Sequence, residues 1–272
     1  AAAFAKDHRR LTSVVLTDGL VGKGEDLVFD YYQSMNSAAQ IVGGAAGDDG
    51  AFKETRVGLG ANVGSNAAAA MHVFSTKPWG IGVAHGLRST TKQMRVTKAS
   101  GNVVYEVNNA PAFDIYRAHA RSRGLSLTPT DASPYMIANE LGIHFFEKIN
   151  RARAPLSVGS DGSLTCAAAI PEGAMISILD GEPKSMIEAA ASAAEEAKQH
   201  LGDGKAAGVL LFDCVCRGMI LKESFAREIE AVRATFGDVP VAGFLTYGEI
   251  ARYRGRLDGW HNATAVVAAI PA

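Results

Sequence analysis

The sequence predicts a mixed α/β (α+β) chain of two pseudo-repeated lobes, with βαβ units and mixed sheets flanked by helices. Three observations predict it. Two stretches far apart in the chain share one pattern of strand, crossover helix, strand and small-residue turn. The segments between and after them read as antiparallel strands, and one long stretch rich in Ala and Glu reads as a helix.

In the first unit, residues 11–16 form a β-branched apolar run that stops at Thr17, Asp18 and Gly19, the pattern of a buried strand ending in a turn. Residues 24–39 follow as a helix. Leu27, Val28, Tyr31, Tyr32 and Met35 recur there at spacings of three and four, which places them on one buried stripe. Ile41 and Val42 then open a short strand that runs into a turn over residues 43–50. The second unit repeats this order: strand at 207–212, turn at 213–218, a helix with a stripe of Phe225, Ile229, Val232 and Phe236, a strand at 239–244 and a turn at 245–250. Each crossover is long enough for a parallel, right-handed connection.

Between the units, residues 56–61, 69–74, 80–85, 93–97 and 103–107 read as strands. A helix is expected from Pro111, because proline suits a first helical turn. Residues 125–134, polar and carrying two prolines, read as a connecting loop; 164–169 and 175–179 read as strands. Pro183–Leu201 is the clearest helix, with Met186, Ile187, Ala190, Ala194, Ala197 and Leu201 on one face. A strand at 263–270 closes the chain. A composition break near residues 90–97 divides the sequence into a shorter part, 1–94, and a longer one, 95–272.

Composition narrows the function classes. At 272 residues, with 47% hydrophobic and 20% charged side chains, the chain has the make-up of a folded globular protein. Twenty-seven basic against twenty-eight acidic side chains leave a net charge of −1, without the positive field that nucleic acid or an anionic membrane calls for. The short basic clusters Arg151 with Arg153, and Arg252, Arg254 and Arg256, read as solvated faces or turns. No apolar run approaches the roughly 20 residues of a membrane span, and the first eight residues lack a signal-peptide layout, so a cytoplasmic protein is expected. Three cysteines fit reduced thiols better than a disulfide framework. Forty-six alanines and 29 glycines against 20 aromatics imply closely packed backbones, tight turns and a pocket lined by few large side chains.

Most familiar catalytic signatures are missing. The loop from Gly19 to Gly24 is too short for a phosphate loop and has no Ser or Thr after Lys23. Gly58, Gly60 and Gly64 imitate a dinucleotide fingerprint but lie between strands, where a hairpin is the better reading. No zinc-protease helix or nucleophile elbow occurs. Cys214 and Cys216, with Cys166 as the third thiolate, are too few for a structural zinc site, so no metal is expected. Any of seven histidines could serve as a haem ligand, and His144, beside Ile143, Phe145 and Phe146, has the most apolar surroundings.

Position is more informative than motif. In open α/β sheets, ligands bind beyond the carboxyl ends of parallel strands. The turns expected there carry Asp18, Gly43, Gly44, Asp48, Asp49, Asp213, Cys214, Arg217, Tyr247 and Glu249. Carboxylates beside an arginine could grip a zwitterion, the arginine taking its carboxylate and an acid its ammonium. An internal pairing of Arg217 with Asp213 or Glu249 that only fixes loop geometry is the alternative.

The same residues carry a resemblance. Residues 41–48, 105–112 with Tyr116, Phe212-Asp213-Cys214 with Arg217 and Gly218, 241–250, and His261-Asn262-Ala263-Thr264 resemble the FIST family, named for F-box and intracellular signal transduction. Residues 1–94 resemble the C-terminal portion of its N-type lobe, and 95–272 its C-type lobe. Against the family pattern the chain begins partway through the N-type lobe, and Cys216 stands where a small residue such as glycine is usual. The resemblance implies a bacterial sensory domain that binds a small molecule such as an amino acid. It would relay ligand state to a partner such as a histidine kinase. The site expected is Asp213, Cys214, Arg217, Tyr247, Glu249, His261 and Asn262, faced by Asp48 and Asp49. Alternatives are a haem-binding nitric oxide sensor regulating a histidine kinase, as some members are described, and a hydrolase or lyase using the strand-end carboxylates. With no nucleophile and base in a recognisable pattern, no catalytic residues are expected.

Overall fold

The computed structural model describes residues 10–35, 39–146, 148–253 and 259–272. The leader reading, His8, the far end of the first expected helix, Arg254 and Arg256 lie outside the described residues. The chain divides into two compact units, one of Ala1–Gly86 with Pro183–Ala272 and the other of Leu87–Glu182. The sequence parts 1–94 and 95–272 divide the chain; the compact units divide the fold.

The first compact unit opens with β1 (Arg10–Asp18), α1 (Gly24–Ser34) and β2 (Gln40–Ala46), a parallel pair in which Val15 lies opposite Gly43. A hairpin of β3 (Val57–Leu59) and β4 (Asn62–Gly64) follows, as the glycines there predict, then β5 (Ala68–Ser75), antiparallel to β1, and β6 (Gly80–Ala84).

The second compact unit holds β7 (Arg88–Ser89), β8 (Met94–Ser100), β9 (Val103–Val107), β10 (Ala110–Pro111), α2 (Asp114–Ser122), α3 (Ala132–Ala138), β11 (Leu141–Phe145), β12 (Lys148–Arg153), β13 (Pro155–Val158), β14 (Leu164–Cys166) and β15 (Met175–Asp180). Its sheet runs β12-β11-β15-β8-β9-β14-β13, with β10 on β9 and β7 on β15. Three expectations are corrected here. Pro111 ends a two-residue strand paired with Glu106, so the helix starts only at Asp114. The expected loop 125–134 gives way to α3 from Ala132, because Ala132, Met136 and Ile137 bury themselves in the core. The apolar housing expected at His144 does not form: Phe145 and Phe146 are exposed, and the imidazole meets the Ser177 hydroxyl at 2.8 Å.

The chain then returns to the first compact unit with α4 (Pro183–Leu201), β16 (Ala206–Cys214), α5 (Val215–Leu221), α6 (Phe225–Phe236), β17 (Val241–Thr246), β18 (Glu249–Arg252), β19 (Trp260–His261) and β20 (Ala265–Pro271). Strands β16 and β17 form the second parallel pair, Leu211 opposite Gly243. The turn expected at 213–218 is mostly α5, and the turn expected at 245–250 shrinks to Tyr247 and Gly248, between the end of β17 and the start of β18, which adds antiparallel to β2. A tight turn alone would have left the edge of β2 unpaired.

Side-chain alternation stacks these elements into layers. One sheet runs β17-β16-β20-β6 and the other β19-β18-β2-β1-β5. On β20, Ala265, Val267 and Ala269 face α4 and α6, while Val266 and Ala268 meet Val14, Val42 and Ala251 of the other sheet. The abundance of Gly and Ala has a specific use here. A Cβ on Gly80 or Gly82 would fall within 2.0 Å of the carbonyl oxygens of Ala197 and Ala193, so only glycine lets α4 lie this close to β6.

Candidate functional site

Both parallel pairs of the first compact unit end at one cleft of about 540 Å³. Leu16, Ala46 and Gly47 reach it from the first βαβ unit, Val215, Phe244, Leu245 and Tyr247 from the second, Asp49 and Arg56 from the intervening loop, and Val57 and Gly58 from β3. It lies where strand-end logic places a ligand. Its walls are mostly apolar, and Asp49 and Arg56 bring opposite charges to it. Arg56 also pairs with Glu54 at 3.0 Å in solvent, a contact of little energy that leaves the guanidinium able to turn.

The loop over the cleft is built by Asp48 and Tyr247. The Asp48 carboxylate accepts the backbone N–H groups of Phe52 (2.8 Å), Lys53 (2.6 Å) and Glu54 (3.0 Å), and the Tyr247 hydroxyl. The Tyr247 oxygen in turn accepts Gly50 N–H at 2.8 Å, and its ring stacks on Phe52 at 4.7 Å. The tyrosine hydrogen bond, aided by the three amides against a burial penalty, holds the Asp48 carboxyl far below the usual carboxylate range. Burial and then the hydrogen bond that its hydroxyl donates to Asp48 raise the tyrosine's pKa. Gly47 is bare because a Cβ there would lie 2.9 Å from the Tyr247 ring.

Asp18 ends β1 as an internal bracket. It accepts Leu20 N–H (2.8 Å), Asn66 N–H (2.6 Å) and the Thr55 hydroxyl. Burial opposes its charge, but these hydrogen bonds outweigh it and its pKa is lowered. Gly43 and Gly44 lie buried in β2, where their lack of a side chain admits Val15 and Thr246.

The other expected residues lie buried. Arg217 is fully buried: Nε donates to Glu228 (2.8 Å), Nη1 to the carbonyls of His85 (2.6 Å) and Ala263 (3.3 Å), and Nη2 to Met186 O (2.8 Å). Nη2 also lies 2.7 Å from Glu228, and Nε lies 3.1 Å from Asp213. All five donors of the fork are thus engaged within the protein, which is the internal pairing with a different main partner, and none remains for a ligand carboxylate. One arginine faces two buried carboxylates. Burial and then the Glu228 charge, against the pull of Arg217, push Asp213 well above the usual carboxylate range.

Beside this triad, Glu249 accepts the hydroxyls of Thr246 (2.6 Å) and Thr264 (2.8 Å) and Thr264 N–H (3.1 Å). Burial pushes its pKa to about 7 even though these groups and Cys214 favour the charge. His261 meets the carbonyl of Ala251 at 3.1 Å, and Asn262 is buried beside it in sequence.

The structure therefore puts Asp49 and Tyr247 on the cleft, uses Asp18 and Asp48 to hold the neighbouring loops, and buries Asp213, Arg217 and Glu249 among internal partners. Sequence reasoning missed Arg56, Thr55, Thr264 and Glu228. Glu228 had a signal, since it lies among Phe225, Ile229 and Val232, inside the apolar stripe of its helix. Arg56 had none, being one charge in a polar loop.

No histidine is among the residues lining the 540 Å³ cleft. A cleft of about 440 Å³ in the second compact unit has His119 in its wall, but Thr90 and Tyr135 occupy both imidazole nitrogens. A proximal ligand needs a free one, so these residues do not fit the group. Among the described residues no three or more His, Cys, Asp or Glu side chains gather as a metal site, and no helix is long and apolar enough to cross a membrane.

A family model described as the FIST N domain matches residues 1–110, and one described as the FIST C domain matches residues 112–252. No curated protein matches the chain.

Proposed function

The chain belongs to the FIST family, whose domains are associated with sensory roles in signal transduction, and from that premise we propose that it binds a small zwitterion, an amino acid with an apolar side chain, in the strand-end cleft. One observation carries this reading: Asp49 and Arg56 bring opposite charges to the same apolar-walled cleft at the carboxyl ends of both βαβ units. The aspartate would take the ammonium and the arginine the carboxylate, with Leu16, Val57, Phe244 and Leu245 around the side chain. The expected pairing of an arginine with an acid is kept, with Arg56 in place of Arg217.

The protein is read as a binding module that passes ligand occupancy to a partner protein and makes no chemical change. Calorimetric titration with the apolar amino acids tests it. A binder at 100 times its Kd stabilises the fold by about 2.7 kcal/mol, which a thermal screen detects. Arg56→Ala and Asp49→Asn should each weaken binding at least tenfold, because each removes one half of the charge clamp. If both variants bound with unchanged affinity, the cleft would not be the site.

A further inference from the structure

Strands β2 and β17 hold the same place in the two parallel pairs, yet their outer edges are treated differently. The edge of β2 is occupied by β18, in the register Glu249 to Gly44, Ile250 to Gly43, Ala251 to Val42 and Arg252 to Ile41. Ala45 N–H donates to Gly248 O (2.8 Å) and Tyr247 N–H to Ala45 O (3.1 Å), so the odd-numbered residues of β2 turn their backbone groups outward. On β17, Val209 N–H donates to Pro240 O (2.9 Å), which directs residue 240, and by alternation 242 and 244, toward β16. Val241, Gly243 and Leu245 therefore present N–H and C=O groups on the outer edge. Among the described residues no strand pairs with them.

The space beside each strand differs in the same way. Next to β2, Ile250 is buried, Trp260 packs against Gly24 and Gly248, and the Arg252 guanidinium sits 3.8 Å over the Tyr32 ring. Next to β17, a cleft of about 250 Å³ stays open, bounded by Phe225 and Ile229 of α6 and by Leu211 and Asp213 of β16. Phe244 is 40% and Leu245 39% exposed. Residues 241–246 carry no charge, proline or bulge, the devices with which proteins blunt an exposed edge. Such an edge suits strand addition, in which backbone hydrogen bonds bind and side-chain pockets select.

We propose that the outer edge of β17 and the cleft beside it seat an antiparallel strand of a partner protein, as β18 seats on β2. That strand carries an aliphatic residue opposite Gly243, in the role of Ile250 opposite Gly43, and a bulky apolar side chain for the cleft. Asp213 lines this cleft but is itself buried, and burial raises its pKa. Phe244 and Leu245 line both this cleft and the 540 Å³ one. A ligand in the larger cleft therefore touches the strand to which the partner adds. The choice of a signalling partner rests on the sensory reading above; the docking edge does not.

The test uses a labelled, end-blocked peptide copying residues 247–253 (YGEIARY), without added ligand. Anisotropy should show saturable binding, and hydrogen exchange at the amides of Val241, Gly243 and Leu245 should slow at least tenfold. Val241→Pro removes an outward N–H without touching the β16 ladder, and Ile229→Lys puts a charge on the cleft wall. Each should weaken binding at least tenfold, so the result survives if one variant fails to fold. Absence of saturable binding, or full affinity in both variants, overturns the proposal. So does a dimer, seen by light scattering, that Val241→Pro abolishes, because the occupant would then be a second copy. Peptide docking without amino-acid binding would sink the ligand reading alone, and amino-acid binding without docking would sink this one alone.

Discussion

Gly43 and Gly243 are the same residue of the fold used twice. Each lies in the second strand of a parallel pair, opposite Val15 and Leu211 respectively, and a Cβ on either would fall 1.8 Å from the carbonyl oxygen of that partner. Because the obstacle is backbone, no rotamer change relieves it. Alanine at either site should destabilise by about 1–3 kcal/mol or more through forced strand separation. Gly64→Ala, where a Cβ meets nothing within 4 Å, should change stability by less than about 0.5 kcal/mol. Urea midpoints of the three variants decide this.

Arg217 should behave as a buried clasp. Arg217→Met leaves Glu228 without its cation and three carbonyls without donors, which should cost about 3–5 kcal/mol in chemical denaturation. Adding Glu228→Leu should recover part of that loss, since the double variant no longer buries an unpaired carboxylate. A ligand-gripping Arg217 would instead show a small stability loss and a large loss of affinity.

Glu249 sets the sign of one pH dependence. Its folded pKa, about 7, lies above the 4.5 of the unfolded group, so the native state binds the proton more tightly. Its stabilising contribution is complete below pH 4.5 and is lost as pH rises through 7, on the order of 3 kcal/mol in all. Asp213, raised likewise, adds in the same direction. Asp18 and Asp48, whose pKa values are lowered, stabilise above their ordinary value and lose that contribution as pH falls. In stability–pH curves, Glu249→Gln should flatten the decline between pH 4.5 and 7 and leave the acid limb in place.

The parts of the fold legible in the sequence are those whose signal is local. The stripe of Phe225, Ile229, Val232 and Phe236 marks α6, and Pro183–Leu201 matches its helix end for end. The parallel pairing of both units follows from the length of their crossovers. What was not legible depends on distant partners. Residues 249 and 250 look like the end of a turn until β2, two hundred residues earlier, offers β18 an edge. Asp213, Arg217 and Glu249 were found as a cluster by position, but burial, which turns them from ligand groups into internally paired ones, cannot be read from residue type. Arg56 joins the cleft only because the loop anchored on Asp48 folds it there.

That loop supplies the last prediction. Asp48 fixes residues 52–54 through three backbone N–H groups, and Tyr247 ties Asp48 and Gly50 to the end of β17. Tyr247→Phe keeps the ring on Phe52 but removes the hydroxyl that donates to the carboxylate and accepts from Gly50. The net cost to global stability should be modest, about 0.5–1.5 kcal/mol. Amide exchange at Gly50, Phe52, Lys53 and Glu54 should rise well beyond what that global loss allows, because the loop opens locally without unfolding the sheets. Asp49 and Arg56 flank this segment, so amino-acid binding should weaken several-fold through lost pre-organisation. Asp48→Asn, which halves the carboxylate's acceptor capacity at the same point, should produce the same exchange pattern. If exchange rose uniformly across the unit instead, Tyr247 would be a general packing residue and the loop would owe its shape to something else.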